Sequence, residues 1–379
     1  MSVVALKVMV SVRHMKATSR RRVKGMTSNH RLSVLSLVLV IFLCAMPLKG
    51  QKNTRQTLPF LPKYFGFSAT NIKALEQGKI VTKLPNTSDK REVAALGAMR
   101  LNVTKEYFLE RFIDIESFKK NAMLLQLHRF SDPPRLEDMR ELTLEAEHLA
   151  ALRKCIVGDC GVKIPAPLIE RFRKEMNWSA ANSKQQATTL MKQFLLDYVR
   201  AYLSAGNKAL VEYSDQQYPQ RLNDEVRSLL EQSPYLLETA PAFHKYLDEF
   251  PLGKPPVVEN ILYWSKEKIK GYKVVLSITH VTIYKPTDAS QILIASKQIY
   301  ANHYFEASLA LTWVVDAEIE AGKKGSYLIY FNRSRMDALR GGWNWLKRYI
   351  ANRKIRYELV KNLQLAKEKL EGASVNATP

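Results

Sequence analysis

Glycine, proline and cysteine are all scarce: 15, 16 and 3 in 379 residues. A chain so poor in Gly and Pro is neither collagen-like nor low-complexity, and 46% hydrophobic residues exclude global disorder. The sequence also lacks a Walker loop, a G-x-G-x-x-G turn, an H-E-x-x-H helix and a G-x-S-x-G elbow, which argues against nucleotide-driven, zincin and serine-hydrolase chemistry. It has no internal repeat, and after residue 50 no run reaches the ~18 apolar residues that a membrane span needs. The length allows two or three ordinary domains, or one domain with a large insertion.

Acidic residues are outnumbered, 36 against 58 Lys+Arg, for a formal charge of +22. Residues 1–50 hold nine basic residues and no acid, leaving +13 for the rest. No zinc-finger spacing, RNP-type aromatic motif or recognition helix organises that excess, so no nucleic-acid partner is expected. Anionic lipid or cell-wall polymer fits it better. Residues 32–48 form a 17-residue uncharged run behind Arg20-Arg21-Arg22, Lys24 and Arg31. A basic flank before an apolar run reads as a signal peptide or as a retained membrane anchor. Either places the remainder outside the cytoplasm, in a periplasmic or extracellular setting.

Cys155 and Cys160 flank a Gly158-Asp159 bend. In an oxidising compartment they would close a small disulfide loop. Free thiols are one competing reading and half of a zinc site another, but no second Cys/His pair has matching spacing, and redox work normally uses C-x-x-C. No metal and no cofactor is expected.

The residues divide into a signal or anchor (1–50), a linker (51–66), an α+β domain in two pieces (67–144 and 259–371), a helical insertion (145–258) and a tail (372–379). Strands are expected at Gly78–Leu84, Ala94–Val103, Met123–Phe130 and Asp138–Leu144, with Thr104 capping a short helix that carries Phe108, Phe112 and Ile115 on one side. The insertion reads as helices near Leu168–Met176, Ser183–Ala205 (ended by Gly206), Pro219–Gln232 and Pro241–Glu249, with Tyr198, Tyr202, Tyr213, Tyr218, Tyr235 and Tyr246 packed between them. Five strands follow Pro255-Pro256: Ile261–Ser265, Lys273–Tyr284, Gln291–Tyr300, Tyr304–Val315 and Ser326–Asn332. A closing helix carries a stripe of Met336, Leu339, Trp343, Leu346, Ile350, Ile355, Leu359, Leu363 and Leu370, weakened at Gly341-Gly342.

This order resembles the START-type helix-grip (SRPBCC-like) superfamily, on Ala94–Phe118 and on Ser326–Leu370. The Cys155–Lys163 segment and the Ser296–Tyr304 strand also look similar to exported bacterial proteins of uncharacterised function. The superfamily resemblance implies a curved antiparallel sheet gripping the C-terminal helix, a cavity between them, and a lipid-like ligand. Independently, a sheet buried on one face needs a cover, and where a single helix leaves a gap an apolar pocket remains.

On alternating strands His280, Thr282 and Tyr284 share a face, as do Gln298, Tyr300, Asn302 and Tyr304, with His303 opposite. With Trp343 these are the candidate ligand-binding residues. If the protein is an enzyme, His280, Tyr300 and His303 are its candidate acid/base groups; otherwise there are none. Glu306 and His303 point apart and make no metal site. Arg333, Arg335 and Arg340 with the basic closing helix would grip phosphate headgroups at a membrane surface, or form a solvated face. The leading reading is an exported carrier of a hydrophobic small molecule or lipid. The others are an enzyme acting on that ligand and an interaction module that docks a protein partner through the insertion.

Overall fold

The computed structural model describes residues 58–255, 258–268, 271–287, 291–320, 322–340 and 344–375. The apolar run 32–48 and Trp343 lie outside these residues. The chain is α+β. It begins with two short helices, α1 (Phe60–Phe65) and α2 (Ala69–Glu76), then strands β1 (Val81–Lys83) and β2 (Glu92–Leu101), helices α3 (Lys105–Ile113) and α4 (Ile115–Lys119), and β3 (Leu124–Arg129). The insertion holds α5 (Ala146–Leu152), α6 (Ala166–Glu175), α7 (Ser183–Ala205), a ribbon of β4 (Glu212–Tyr213) and β5 (Gln220–Arg221), then α8 (Leu222–Glu231), α9 (Pro234–Thr239) and α10 (Pro241–Glu249). Strands β6 (Val258–Glu267), β7 (Val275–Tyr284), β8 (Gln291–Ala301), β9 (Phe305–Glu320) and β10 (Lys323–Met336) lead into α11 (Asn344–Val375).

Eight strands make one open antiparallel sheet in the order β1-β2-β10-β9-β8-β7-β6-β3. Both faces are covered, which is why β2 and β7 read as almost unbroken buried runs. Against one face pack Ile355, Leu359, Leu363 and Leu370 of α11, with Phe108 and Phe112 of α3 and Ile115 of α4. Against the other pack α1, α2 and the insertion, joined to the sheet through one continuous core. Gly97 on β2 lets α11 come close: a Cβ there would stand 2.2 Å from Leu363 Cδ1. Thr104 caps α3 as expected, its hydroxyl accepting from Tyr107 N at 3.2 Å.

Four local readings change. The 51–66 stretch is not all linker: Phe60, Leu61 and Phe65 are buried, with the Phe60 ring 5.3 Å from Trp313 and Phe65 4.9 Å from Phe331. Residues 138–144 form no strand. Leu136–Met139 is a 3-10 turn, the Asp138 carboxylate accepts from Ser131 N and Arg135 N, and Met139, Leu142 and Leu144 drop into the core. The closing helix starts later than its stripe, because Met336 still pairs with Phe305 in the sheet and Leu339 sits in a 3-10 turn. Lastly, five of the six insertion tyrosines are buried, whereas Tyr218 is 80% exposed.

Candidate functional site

The structure separates the sequence-predicted residues by face. His280, Thr282, Tyr284, Tyr300 and Asn302 turn toward the insertion. The His280 ring is sealed: its Nδ1 meets the Tyr202 hydroxyl at 2.7 Å and its Nε2 meets Asn260 Oδ1 at 2.9 Å, with Thr282 Oγ1 at 3.3 Å. Because Asn260 Oδ1 only accepts, Nε2 carries the proton and Nδ1 accepts from tyrosine. Tyr284 stacks on Phe243, 5.2 Å between centroids; the Tyr300 hydroxyl donates to Lys163 O; Asn302 Oδ1 accepts from Leu276 N. All three acid/base candidates are buried, and His280 has both ring nitrogens engaged, which removes it from substrate reach.

Beside His280 lies a group that the sequence reading passed over. Lys297 is 2% exposed, donates to Asn207 Oδ1 at 2.6 Å, and sits 5.2 Å from the Tyr202 ring centroid and 5.4 Å from that of Phe250. Burial pushes its ammonium down to about 7. Burial, then the nearby Lys297, holds His280 well below the ordinary histidine range. A second buried pair, His148 and His303, has ring centroids 5.2 Å apart. Its His148 Nδ1 and His303 Nε2 are without partners among the described residues. Burial lowers His148; burial, and then His148 itself, lower His303 to about 2. No group of three or more metal-ligating side chains occurs among the described residues. Tyr304 has φ +66 and accepts from Lys273 N through its hydroxyl at 3.0 Å.

These groups have a common thermodynamic sign. Each binds more protons unfolded than folded, so stability rises with pH between its folded and unfolded pKa values. The histidines act as pH falls below about 6.5, and Lys297 acts between about 7 and about 10.5. Glu306 and Asp215, pushed up by burial, oppose the histidines at the acid end. The thermal unfolding temperature is expected to climb from pH 5 to pH 9.5, with a flatter acid limb in His303→Gln. A level profile across that range would refute the buried, neutral assignment.

The two arginines near the end of β10 do not face solvent. Arg333 and Arg335 are 6% and 3% exposed, and Arg333 Nε donates to the fully buried Glu92 at 2.6 Å. Arg335 reaches Glu225 of α8 at 2.5 Å, and Glu306 pairs with Arg91 at 2.6 Å and with Arg340. These charges tie the insertion to the sheet, so Arg333 and Arg335 are not a headgroup grip.

The opposite face, where α11 docks, carries a different surface. A bulge puts Ile278 opposite Tyr300 but Thr279 opposite Gln298, so Gln298 turns away from Tyr300 and toward α11. From Gln298 the cross-strand register runs through one row: Tyr263 on β6, Thr279 on β7, Gln298 on β8, Ser308 on β9 and Ser334 on β10. Ser308 Oγ and Ser334 Oγ lie 2.8 Å apart, Asn332 Nδ2 donates to Ser308 Oγ, and Ser334 Oγ donates to Asn332 Oδ1. Lys119 of α4 donates to the Tyr263 hydroxyl at the row's end. The next row, Ile261-Val281-Ser296-Ala310-Asn332-Ala95, is small in its middle; the one after it is Ile283-Ile294-Thr312-Tyr330-Gly97.

Ser296 and Thr312 occupy central strands yet are only half-buried, among neighbours that are buried. Both keep partial exposure on a face whose other central residues are buried. Except for Gln298, this surface was missed. Its signal was in the sequence as polar pairs two apart, Ser277/Thr279, Ser296/Gln298 and Asn332/Ser334, interrupting the apolar face of their strands.

Cys155 and Cys160 are joined in a disulfide, which is compatible with an exported protein. No helix among the described residues is long and apolar enough to cross a membrane. No family model, curated protein or solved structure matches the chain.

Proposed function

We propose that the protein binds an amphiphilic small molecule, lipid-like in size and polarity, between the sheet and α11, and performs no chemistry on it. The supporting observation is the partly exposed pair Ser296 and Thr312 at the centre of an otherwise buried face. Around them the buried face is graded: a hydrogen-bonding row (Thr279, Gln298, Ser308, Ser334) on one side, small residues in the middle, and Ile283, Ile294, Val314 and Leu328 beyond, all of which α11 would have to uncover for a ligand. Such a gradient orients a ligand with a polar head and an apolar body. The row's own side chains are uncharged and the Lys119 ammonium at its end is bonded to Tyr263, so it suits a hydroxyl or carbonyl head over a carboxylate.

The strand order is consistent with the helix-grip resemblance: β2, two short helices, β3, then five strands returning to β2, and a last long helix. The sealed His280 fits a carrier better than an enzyme. In titrations of the purified protein, mono-oleoylglycerol is expected to bind, and Gln298→Leu with Ser308→Val to weaken it about tenfold, the value of one or two hydrogen bonds. His280→Ala in a folded variant should leave affinity unchanged. Absence of binding by any monoacyl amphiphile, or loss of affinity through His280 alone, would reject the proposal.

A further inference from the structure

Ile156 and Val157 lie within the disulfide loop that follows α5, and they are 48% and 49% exposed. Aliphatic side chains are poor turn formers, and here the turn does not need them: Gly158 supplies the positive φ (+87) and the Cys155–Cys160 bond closes the loop. Two backbone hydrogen bonds, Gly158 N to Ser214 O and Cys160 N to Asp215 O, clamp the loop to the segment that ends at Tyr218. Three of the nine exposed large hydrophobic residues among those described thus gather on one rigid tip. Arg153 and Lys154, both exposed, precede it.

Next to the tip a recess of about 180 Å³ is lined by Leu149, Ala150, Arg153, Trp178, Ser183 and Lys184. It brings two cations and an indole to one hollow beside the protruding aliphatics. Nearby acids offset this charge only in part: Asp215 faces Lys163 at 3.7 Å, Glu145 is held by Lys266 at 2.6 Å and interacts more weakly with Lys184, and Asp159 is the exposed acid of the loop.

We propose that this tip docks on an anionic phospholipid surface, with Ile156 and Val157 entering the acyl boundary, Tyr218 and Trp178 at headgroup level, and Arg153 and Lys184 holding a lipid phosphate. The chemistry selects a bilayer over a protein groove because the aliphatic residues project from a closed turn and are flanked by cations and interfacial aromatics. The inference is independent of any ligand under α11.

Hydrogen exchange of the full chain, with and without phosphatidylglycerol vesicles, tests it locally, so that membrane binding by other segments does not interfere. Exchange in 153–160 and 214–218 is expected to slow on phosphatidylglycerol and to stay unchanged on phosphatidylcholine. Ile156→Ser with Val157→Ser should reduce that protection about tenfold, as should Arg153→Ala with Lys184→Ala. Equal protection on both lipids, or unchanged exchange in these segments while the protein sediments with phosphatidylglycerol, would overturn it. So would an effect that requires the vesicles to be replaced by another protein.

Discussion

Gly206→Ala is expected to destabilise the protein by about 3 kcal/mol or more. Gly206 ends α7 at φ +64 and ψ −139, a conformation that L side chains rarely adopt. A Cβ there would lie 1.7 Å from Phe250 O and 2.5 Å from Pro251 Cδ. The first of these is backbone, so no rotamer change relieves it. The damage would spread, because the next residue, Asn207, donates to Leu247 O and Asp248 O and is the hydrogen-bond acceptor for buried Lys297. Gly253→Ala is the control: its φ is +63 but nothing lies within 4 Å of the added carbon, so only the backbone term of about 1 kcal/mol applies. Urea unfolding of the two variants should separate them clearly; equal, mild losses would contradict the close approach of α7 and α10.

Arg333→Met is expected to cost about 3–5 kcal/mol, the usual result of stripping one partner from a buried ion pair. Glu92 is fully buried between Arg333 Nε at 2.6 Å and Arg335 Nε at 3.4 Å. Arg335 is itself shared with Glu225 and Asp89, so it compensates Glu92 only in part. Arg333 also donates to Gln232 Oε1 at 2.7 Å and to Gln232 O, bonds that hold α8 and α9 on the sheet. Removing both charges with Glu92→Leu and Arg333→Met should restore much of the loss, since a well-packed apolar pair replaces a buried ion pair at little cost. A double-mutant cycle by chemical denaturation measures the coupling. Additive losses would show that the two residues act separately.

The two variants probe one property, the fusion of insertion and sheet into a shared core. That fusion was not legible in the sequence. Runs such as Ser183–Ala205 showed their helical period, but period names an element and its apolar face without naming the partner. Arg333 and Arg335, alternating with polar neighbours, looked like a strand end facing solvent or lipid; their acids lie 241 and 243 positions away at Glu92. The polar row under α11 escaped for a related reason. Alternation placed Gln298 with Tyr300, and a single bulged residue at Ile299 reversed that assignment.

By itself the sequence determined most element types along the chain, the Thr104 and Gly206 helix boundaries and the expected disulfide pair, because each depends on local periodicity, capping chemistry or the bend between two nearby cysteines. Only the tertiary structure decided which face each side chain meets, that the insertion seals His280 and Lys297, and that a buried polar row and the partly exposed Ser296 and Thr312 lie on the α11 side. Those outcomes depend on strand register and on contacts between residues far apart in the chain, and a one-residue bulge is enough to exchange the two faces.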